Sequence, residues 1–234
     1  VGSEMCIRDS LVTPLVTIFS GVGLSMLIAA PIGAAASQVG TLIMWATEQA
    51  PLVMGILVSV IVGVALTLPI SSAAICAALG LTGLAGGAAV AGCCAQMIGF
   101  AVMSYKENGV GGLVSQGLGT SMLQMGNIVK NPRIWIAPTL ASAITGPLAT
   151  CVFHFEMNGA AVSSGMGTCG LVGQIGVYTG WVSDIAAGTK AAITPMDWAA
   201  MVLLCFVLPA VLSVIFCEIE RKLGWIKEGD LKLN

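Results

Sequence analysis

Charge is what this sequence is shortest of. Charged residues make up 9% of it and hydrophobic residues 57%, where a soluble domain carries about 25% charged residues. Between Ser10 and Tyr105 the one formal charge is Glu48. The charge-free run 49–105 far exceeds the roughly 20 residues that one helical span needs, so the chain must cross a bilayer more than once. A β-barrel needs short stretches of alternating polar and apolar residues, and a run such as 52–68 does not alternate. The expected class is therefore all-α, a polytopic helical membrane protein with re-entrant or broken-helix segments.

Other shortages exclude whole chemistries. There is a single histidine, and the eight cysteines form no CxxC pair of the kind that holds zinc. Cys93 and Cys94 are adjacent, and Cys76, Cys151, Cys205 and Cys217 sit in apolar runs, where cysteine packs as a small apolar side chain. A net charge of −2 without a basic stripe argues against nucleic acid as a partner. No phosphate-binding glycine loop, metal cluster or nucleophile–base pair is present. No metal, cofactor or catalytic residue of a self-contained kinase or hydrolase is expected.

Residues 1–9, VGSEMCIRD, resemble a sequencing-library transposase adapter translated in frame, and such scars are kept out of fold reasoning. On that reading 10–234 is the native part, a fragment that lacks earlier helices. Residues 11–36 form a first apolar segment, with Pro14 near its start and Pro31 toward its end. The stretch 33–48, with Ser37, Gln38, Thr41, Trp45 and Glu48, is expected as an interfacial or re-entrant helix, since Trp favours the membrane interface. Pro51 opens a clean span to Leu68. Residues 71–85 are too short and small-sided for a span of their own. Gly83 and Gly87 are a GxxxG pair suited to close backbone approach. Span 86–105 is interrupted by Gln96, a residue type that more often bonds a neighbouring helix than a ligand. The polar connection 106–133 repeats Val114, Leu118 and Met122 on one helical face, as an amphipathic or re-entrant helix would. Further spans are expected over 133–153 and 198–217, the second kinked at Pro209.

The stretch 154–174, HFEMNGAAVSSGMGTCGLVGQ, contradicts its surroundings. It lies between apolar segments yet holds the only histidine, the carboxylate of Glu156 and a run of glycines. Irregular backbone between spans is tolerated only where protein buries it or where it lines a watery cavity, and an ionisable group at membrane depth is a functional candidate by default. Glu156, Asn158 and Gln174 offer the acceptors and donors that a hydroxyl-rich ligand requires; Glu156 reads equally as a solvated residue at the outer face. His154 reads first as an interfacial histidine and second as a hydrogen-bonding or proton-shuttling group.

Basic residues gather in the tail (Arg221, Lys222, Lys227, Lys232) and in the 106–133 connection. By the positive-inside rule both face the cytoplasm, and 154–197 faces outward or folds back into the membrane. Lys106, Glu107 and Lys130 are then candidates for receiving a soluble partner, or anchors of the cytoplasmic face. Arg133 reads as an anchor.

Three motifs in order carry a resemblance over nearly the whole chain: LTLPISSAAI, the long run from GFAVMSYKENG to ITGPLAT, and GMGTCGLVGQIG. The chain resembles membrane subunits IIC of the bacterial phosphoenolpyruvate-dependent sugar phosphotransferase system. The resemblance implies a permease of the bacterial cytoplasmic membrane, usually a homodimer, that binds external sugar or sugar alcohol and moves it inward. A phosphorylated IIB protein, charged through IIA, then phosphorylates it, and no residue of IIC carries the phosphoryl group. It also implies membrane segments ahead of Leu11. Cys169 stands where serine is expected and His154 where lysine is expected. Two rival readings remain, an ion-coupled secondary transporter using Glu156 or Glu48 and a non-transporting membrane sensor or scaffold.

Overall fold

The computed structural model describes residues 13–233, so the assignment of 1–9 lies outside the described residues. Apart from one two-residue backbone bridge, all regular structure among the described residues is helical. The polytopic all-α expectation is met. Among the described residues, three helical stretches are long and apolar enough to cross a membrane, Gly83–Met103, Pro132–Val152 and Pro195–Lys222, beside the shorter apolar helix Pro51–Thr67.

The first expectation to be corrected concerns 33–48. It is no separate element, because α1 (Thr13–Gln49) runs unbroken for 37 residues, about 55 Å at 1.5 Å per residue. The polar residues do not interrupt it because they turn back on it. Thr41 Oγ1 donates to the Ser37 carbonyl at 2.9 Å and Thr47 Oγ1 to that of Ile43 at 2.7 Å, and the next proline after Pro31 is Pro51.

α2 (Pro51–Thr67), α4 (Gly83–Met103) and α7 (Ile136–Pro147) form the centre. Gly55, Ser59 and Gly63 lie four apart along α2, the small-residue spacing that lets apolar helices touch backbone to backbone. Gly55 meets Gly146 of α7, and Gly63 meets Gly92 of α4. Between them Ser59 Oγ donates to the Ser142 carbonyl at 2.8 Å. α4, with no side chain larger than valine or leucine before Gln96, is enclosed on every side, and 89% of its apolar window is buried. Gln96 is bound by neighbours, as expected of it. Its Oε1 accepts from Trp135 Nε1 at 3.1 Å and from Thr67 Oγ1 at 3.3 Å, and its Nε2 donates to Thr139 Oγ1 at 3.3 Å.

Residues 71–85 give α3 (Ser72–Leu79), stopped by Gly80 in the left-handed conformation. The connection 106–133 is broken rather than one amphipathic helix. α5 (Tyr105–Val114) passes into a π turn (Ser115–Gly119), a 3₁₀ turn (Ser121–Gln124) and α6 (Met125–Lys130). Glycines at 117 and 119 and the extended backbone of Thr120 (φ −158°, ψ 141°) end the helical run. Val114, Leu118 and Met122 are nonetheless all exposed. The stretch 154–174 is broken too, with α8 (Ala161–Ser164) and a 3₁₀ turn (Cys169–Leu171) ahead of α9 (Val172–Ala186).

α10 (Pro195–Val202) continues through a π turn, Leu203–Val207, into α11 (Leu208–Lys222). Pro209 lacks the N–H that an α-helix would direct at the Cys205 carbonyl and would crowd that carbonyl. The widened turn before it relieves both, so the expected kink takes the form of a π turn.

The spans have two distinguishable ends. At one, Glu107 Oε1 accepts from Arg221 Nη2 at 3.2 Å, Lys106 Nζ pairs with Glu218 at 2.8 Å, and the Arg133 guanidinium stands 5.5 Å from the Trp225 ring centre. The connection and the tail therefore share a face, as their charges predicted. At the other end lie Gly83, where α4 begins, and Val152, where the stretch opened by Pro132 ends.

Candidate functional site

Past Pro147 the helix widens into a π turn, Leu148–Val152, and ends. His154 adopts a left-handed conformation, φ 44°, which turns the chain back over the bundle; histidine tolerates that region better than most side chains. The backbone is then extended. The Phe155 N–H donates to the Ala149 carbonyl at 2.8 Å, and Met157 exchanges two 3.0 Å hydrogen bonds with Gly83.

Extended backbone sends alternate side chains to opposite sides, and the sequence H-F-E-M-N uses that alternation. Phe155 and Met157 are buried at 3% and 0% exposure in the core formed with Val90, Val177 and Trp181. His154, Glu156 and Asn158 turn the other way and line one cavity of about 540 Å³, within the 300–1,000 Å³ usual for small-molecule sites. The GxxxG pair serves this chain segment rather than another helix. A Cβ at Gly87 would run into the Phe155 carbonyl, and Gly83, at φ 61°, carries the bridge to Met157.

The rest of the lining comes from α9, from the loop after it and from α10. Asn158 Nδ2 donates to Glu156 Oε2 at 3.2 Å and to Asp184 Oδ2 at 2.9 Å. Lys190 Nζ pairs with Asp197 at 2.8 Å, each side chain about one-quarter exposed, and lies 5.0 Å from the Trp181 ring centre. Asp197 is fixed by its own helix start, where Thr194 and Asp197 each bind the other's backbone N–H, a reciprocal cap. Trp198 meets Trp181 edge-on at 5.7 Å. The result is an open cavity with three carboxylates, one ammonium, one amide and an aromatic wall. Such a set can accept hydrogen bonds from several hydroxyls at once.

Of the four side chains expected at the site, His154, Glu156 and Asn158 are brought together. Gln174 is not among the cavity-lining residues; it is buried in α9, its Nε2 donating to Cys94 Sγ at 3.3 Å. Asp184, Lys190, Asp197 and Trp181 were not anticipated. One signal could have found them, because Asp184, Lys190 and Asp197 are the only charged residues between Glu156 and Glu218.

The glycine-rich stretch is close-packed rather than slack. Gly167, at φ 53°, leaves no room for a Cβ beside Cys93 of α4. Thr168 Oγ1, fully buried, donates to the Gly117 carbonyl at 2.5 Å, so the tips of the two broken segments touch inside the protein. Of the residues expected to meet a partner, Lys130 is exposed and Lys106 pairs with Glu218. Glu107 is engaged internally, accepting from the Leu231 N–H at 2.8 Å as well as from Arg221.

Among known proteins, the family model described as "Phosphotransferase system, EIIC" matches residues 5–233. No curated protein and no solved structure matches the chain. With a match over nearly its full length, on an apolar helical fold that the same reading requires, the chain belongs to the EIIC family of the phosphotransferase system and is a membrane-embedded sugar permease subunit of that system.

Proposed function

We propose that the cavity lined by Glu156, Asn158, Asp184, Lys190, Asp197 and Trp181 receives the external sugar or sugar alcohol, with His154 at its rim. The observation that carries this reading is its position and chemistry together: hydroxyl-binding groups beside tryptophan, at the end of the spans opposite the basic tail. On this reading the tail face is cytoplasmic in a bacterial inner membrane, and the protein works as a homodimer. It is the membrane part of a phosphohistidine-dependent sugar phosphotransferase, and phosphorylated IIB acts at the tail face beside Lys106 and Lys130. The protein itself orients the sugar, shields it and passes it across. It supplies no phosphoryl-carrying side chain, so the phosphoryl group goes directly from IIB to a sugar hydroxyl. Gln174 acts from the core, holding α9 against α4.

The test is uptake by vesicles containing the full-length protein, with labelled hexoses and hexitols offered outside. Uptake should require phosphoenolpyruvate and the IIA and IIB proteins, and label should be recovered inside as sugar phosphate. Accumulation of unmodified sugar driven by a proton gradient would replace this reading with ion-coupled transport.

A further inference from the structure

The two broken segments share a sequence pattern, the spacing between matched residues moving from 50 to 48 and back to 50. Asn108-Gly109 recurs as Asn158-Gly159, and Val114-Ser115 as Val162-Ser163. The tip Gly117-Leu-Gly-Thr-Ser121 recurs as Gly165-Met-Gly-Thr-Cys169. Leu123 then matches Leu171, and Gln124-Met-Gly126 matches Gln174-Ile-Gly176. The folds agree at the tip, where a 3₁₀ turn begins at Ser121 in one copy and at Cys169 in the other and Gln124 and Gln174 are both buried; they differ just before it, where Thr120 is extended and Thr168 is not. Each copy follows a 21-residue apolar stretch, Gly83–Met103 or Pro132–Val152, and those two run in opposite directions between the cavity end and the tail end. The copies therefore enter from opposite faces and meet where Thr168 bonds Gly117. This is an inverted repeat, the arrangement in which transporters expose one path first to one side and then to the other.

Equivalent positions can then be compared across the two faces. At the cavity end Asn158 and Glu156 border open space. At the tail end Asn108, the counterpart of Asn158, and Glu107 beside it are occupied by the chain itself. Asn108 Nδ2 and Gln124 Nε2 donate to the Leu231 carbonyl at 2.8 and 3.0 Å, and Asn127 Nδ2 donates to the Lys232 carbonyl at 3.0 Å. Glu107 Oε2 and Asn108 Oδ1 accept the N–H groups of Leu231 and Leu233, each at 2.8 Å. Gln116 continues the network inward, accepting from Gln124 at 3.0 Å and donating to Ser104 Oγ at 2.7 Å. A carboxylate and several amides converging on one strand of peptide form a costly arrangement unless every group is satisfied. Without the strand, they would require water or a ligand that both donates and accepts, as sugar hydroxyls do.

We propose that residues 223–233 are a strap closing the tail-face counterpart of the open cavity, and that beneath it Glu107, Asn108, Gln124 and Asn127 form a second polyol-binding site on the way to the phosphorylating partner. The strap's peptide groups occupy that site as an internal substitute for sugar hydroxyls. This rests on the permease reading for the identity of the ligand, though not for the existence of the gate.

The experiment uses the full-length protein with Ser104→Cys as a reporter beneath the network, its reaction with a water-soluble maleimide followed at that position by mass spectrometry. Asp230→Ala removes the acceptor for Lys227 N–H and Asn131 Nδ2 and touches none of the proposed site. Leu231→Asp is a second way to release the strap, because Leu231 is fully buried with Phe100 and Met103. Hydrogen exchange at the Leu231 and Leu233 amides reports whether the strap has left. The expected result is faster exchange and labelling about tenfold faster or more, with cooperative unfolding retained. A strap that stays docked in both variants, one whose release unfolds the protein, or one that leaves without exposing the reporter thiol is a structural element, and the gate is excluded. In the released variant glucose and xylitol should slow labelling, and betaine at equal osmolality should not. Equal slowing by all three, or by none, removes the polyol site. Failure of sugar phosphorylation in vesicles would overturn the permease reading and leave the labelling result standing.

Discussion

Asn158 Nδ2 lies 2.9 Å from Asp184 Oδ2, and through this hydrogen bond the extended chain after α7 is tied to the far end of α9. Asn158 spends its second Nδ2 proton on Glu156 at 3.2 Å. The amide thus spaces two carboxylates on one cavity wall while leaving each with acceptor capacity for a ligand.

Glu156→Gln keeps the side-chain size and removes the charge. Hydrogen bonds to a charged group are worth about 1.5–3 kcal/mol. Glu156 is exposed, so the lower end of that range applies, a loss of about tenfold in sugar affinity. Equilibrium binding to purified full-length protein measures it, beside a thermal unfolding control. Unchanged affinity in a folded variant would return Glu156 to the role of a solvated residue.

Gly87→Ala tests how the wall is held. The added methyl would meet the Phe155 carbonyl, and neither backbone has freedom to move because Gly83 and Met157 are bridged beside it. Overpacking of this kind costs about 1–3 kcal/mol and should lower the unfolding temperature and sugar affinity together. Gly126→Ala is the control, since nothing lies within 4 Å of a Cβ there, and as a helical position it should lower neither. Equal behaviour of the two variants would show that the contact with Phe155 is not what positions the cavity wall.

The sequence revealed much of this and concealed the rest for physical reasons. Apolar runs without charge announce spans, because a bilayer core admits little else. Hence Gly83–Met103, Pro132–Val152 and Pro195–Lys222 were legible to within a few residues. Basic residues placed the tail and the connection on one face. The unity of α1 was hidden because Ser37, Gln38 and Thr41 look like a break until the hydroxyls of Thr41 and Thr47 are seen bonding their own helix. The cavity-lining residues 154, 156 and 158 were legible as polar outliers, whereas Gln174 seemed equivalent only because it shared the stretch; helical rotation in α9 turns it to the core. Asp184, Lys190 and Asp197 belong to the cavity through tertiary folding alone.

Orientation is the third prediction. If the tail face is cytoplasmic, a reporter fused after Asn234 should be active only when it requires the cytoplasm, and a cysteine placed at Thr189 should react with an impermeant reagent added outside cells. Thr189 lines the cavity, so the pair of results fixes which way it opens. Labelling of Thr189→Cys only after permeabilisation would invert the protein and move the external site to the tail face.

The last prediction concerns which sugars the cavity accepts. Glu156, Asp184 and Asp197 face a single ammonium, Lys190, and that ammonium is already paired with Asp197 at 2.8 Å. An acidic ligand would therefore meet two uncompensated carboxylates in a partly enclosed space. At an effective dielectric near 20, like charges about 4 Å apart repel by about 4 kcal/mol, and salt screens the exposed part of this. Neutral hexoses or hexitols should bind, and the corresponding uronic acid should bind at least about tenfold more weakly at low salt, the gap narrowing as salt rises. Lys190→Met keeps an apolar stem beside Trp181 while removing the charge. It should weaken the neutral sugar less than about tenfold and the uronic acid further, widening the gap. Competition binding with matched neutral and acidic sugars, at low and high salt, gives all four comparisons. A uronic acid that binds more tightly than its neutral parent, and loses that advantage in Lys190→Met, would make Lys190 the recognition group and the ligand a sugar acid.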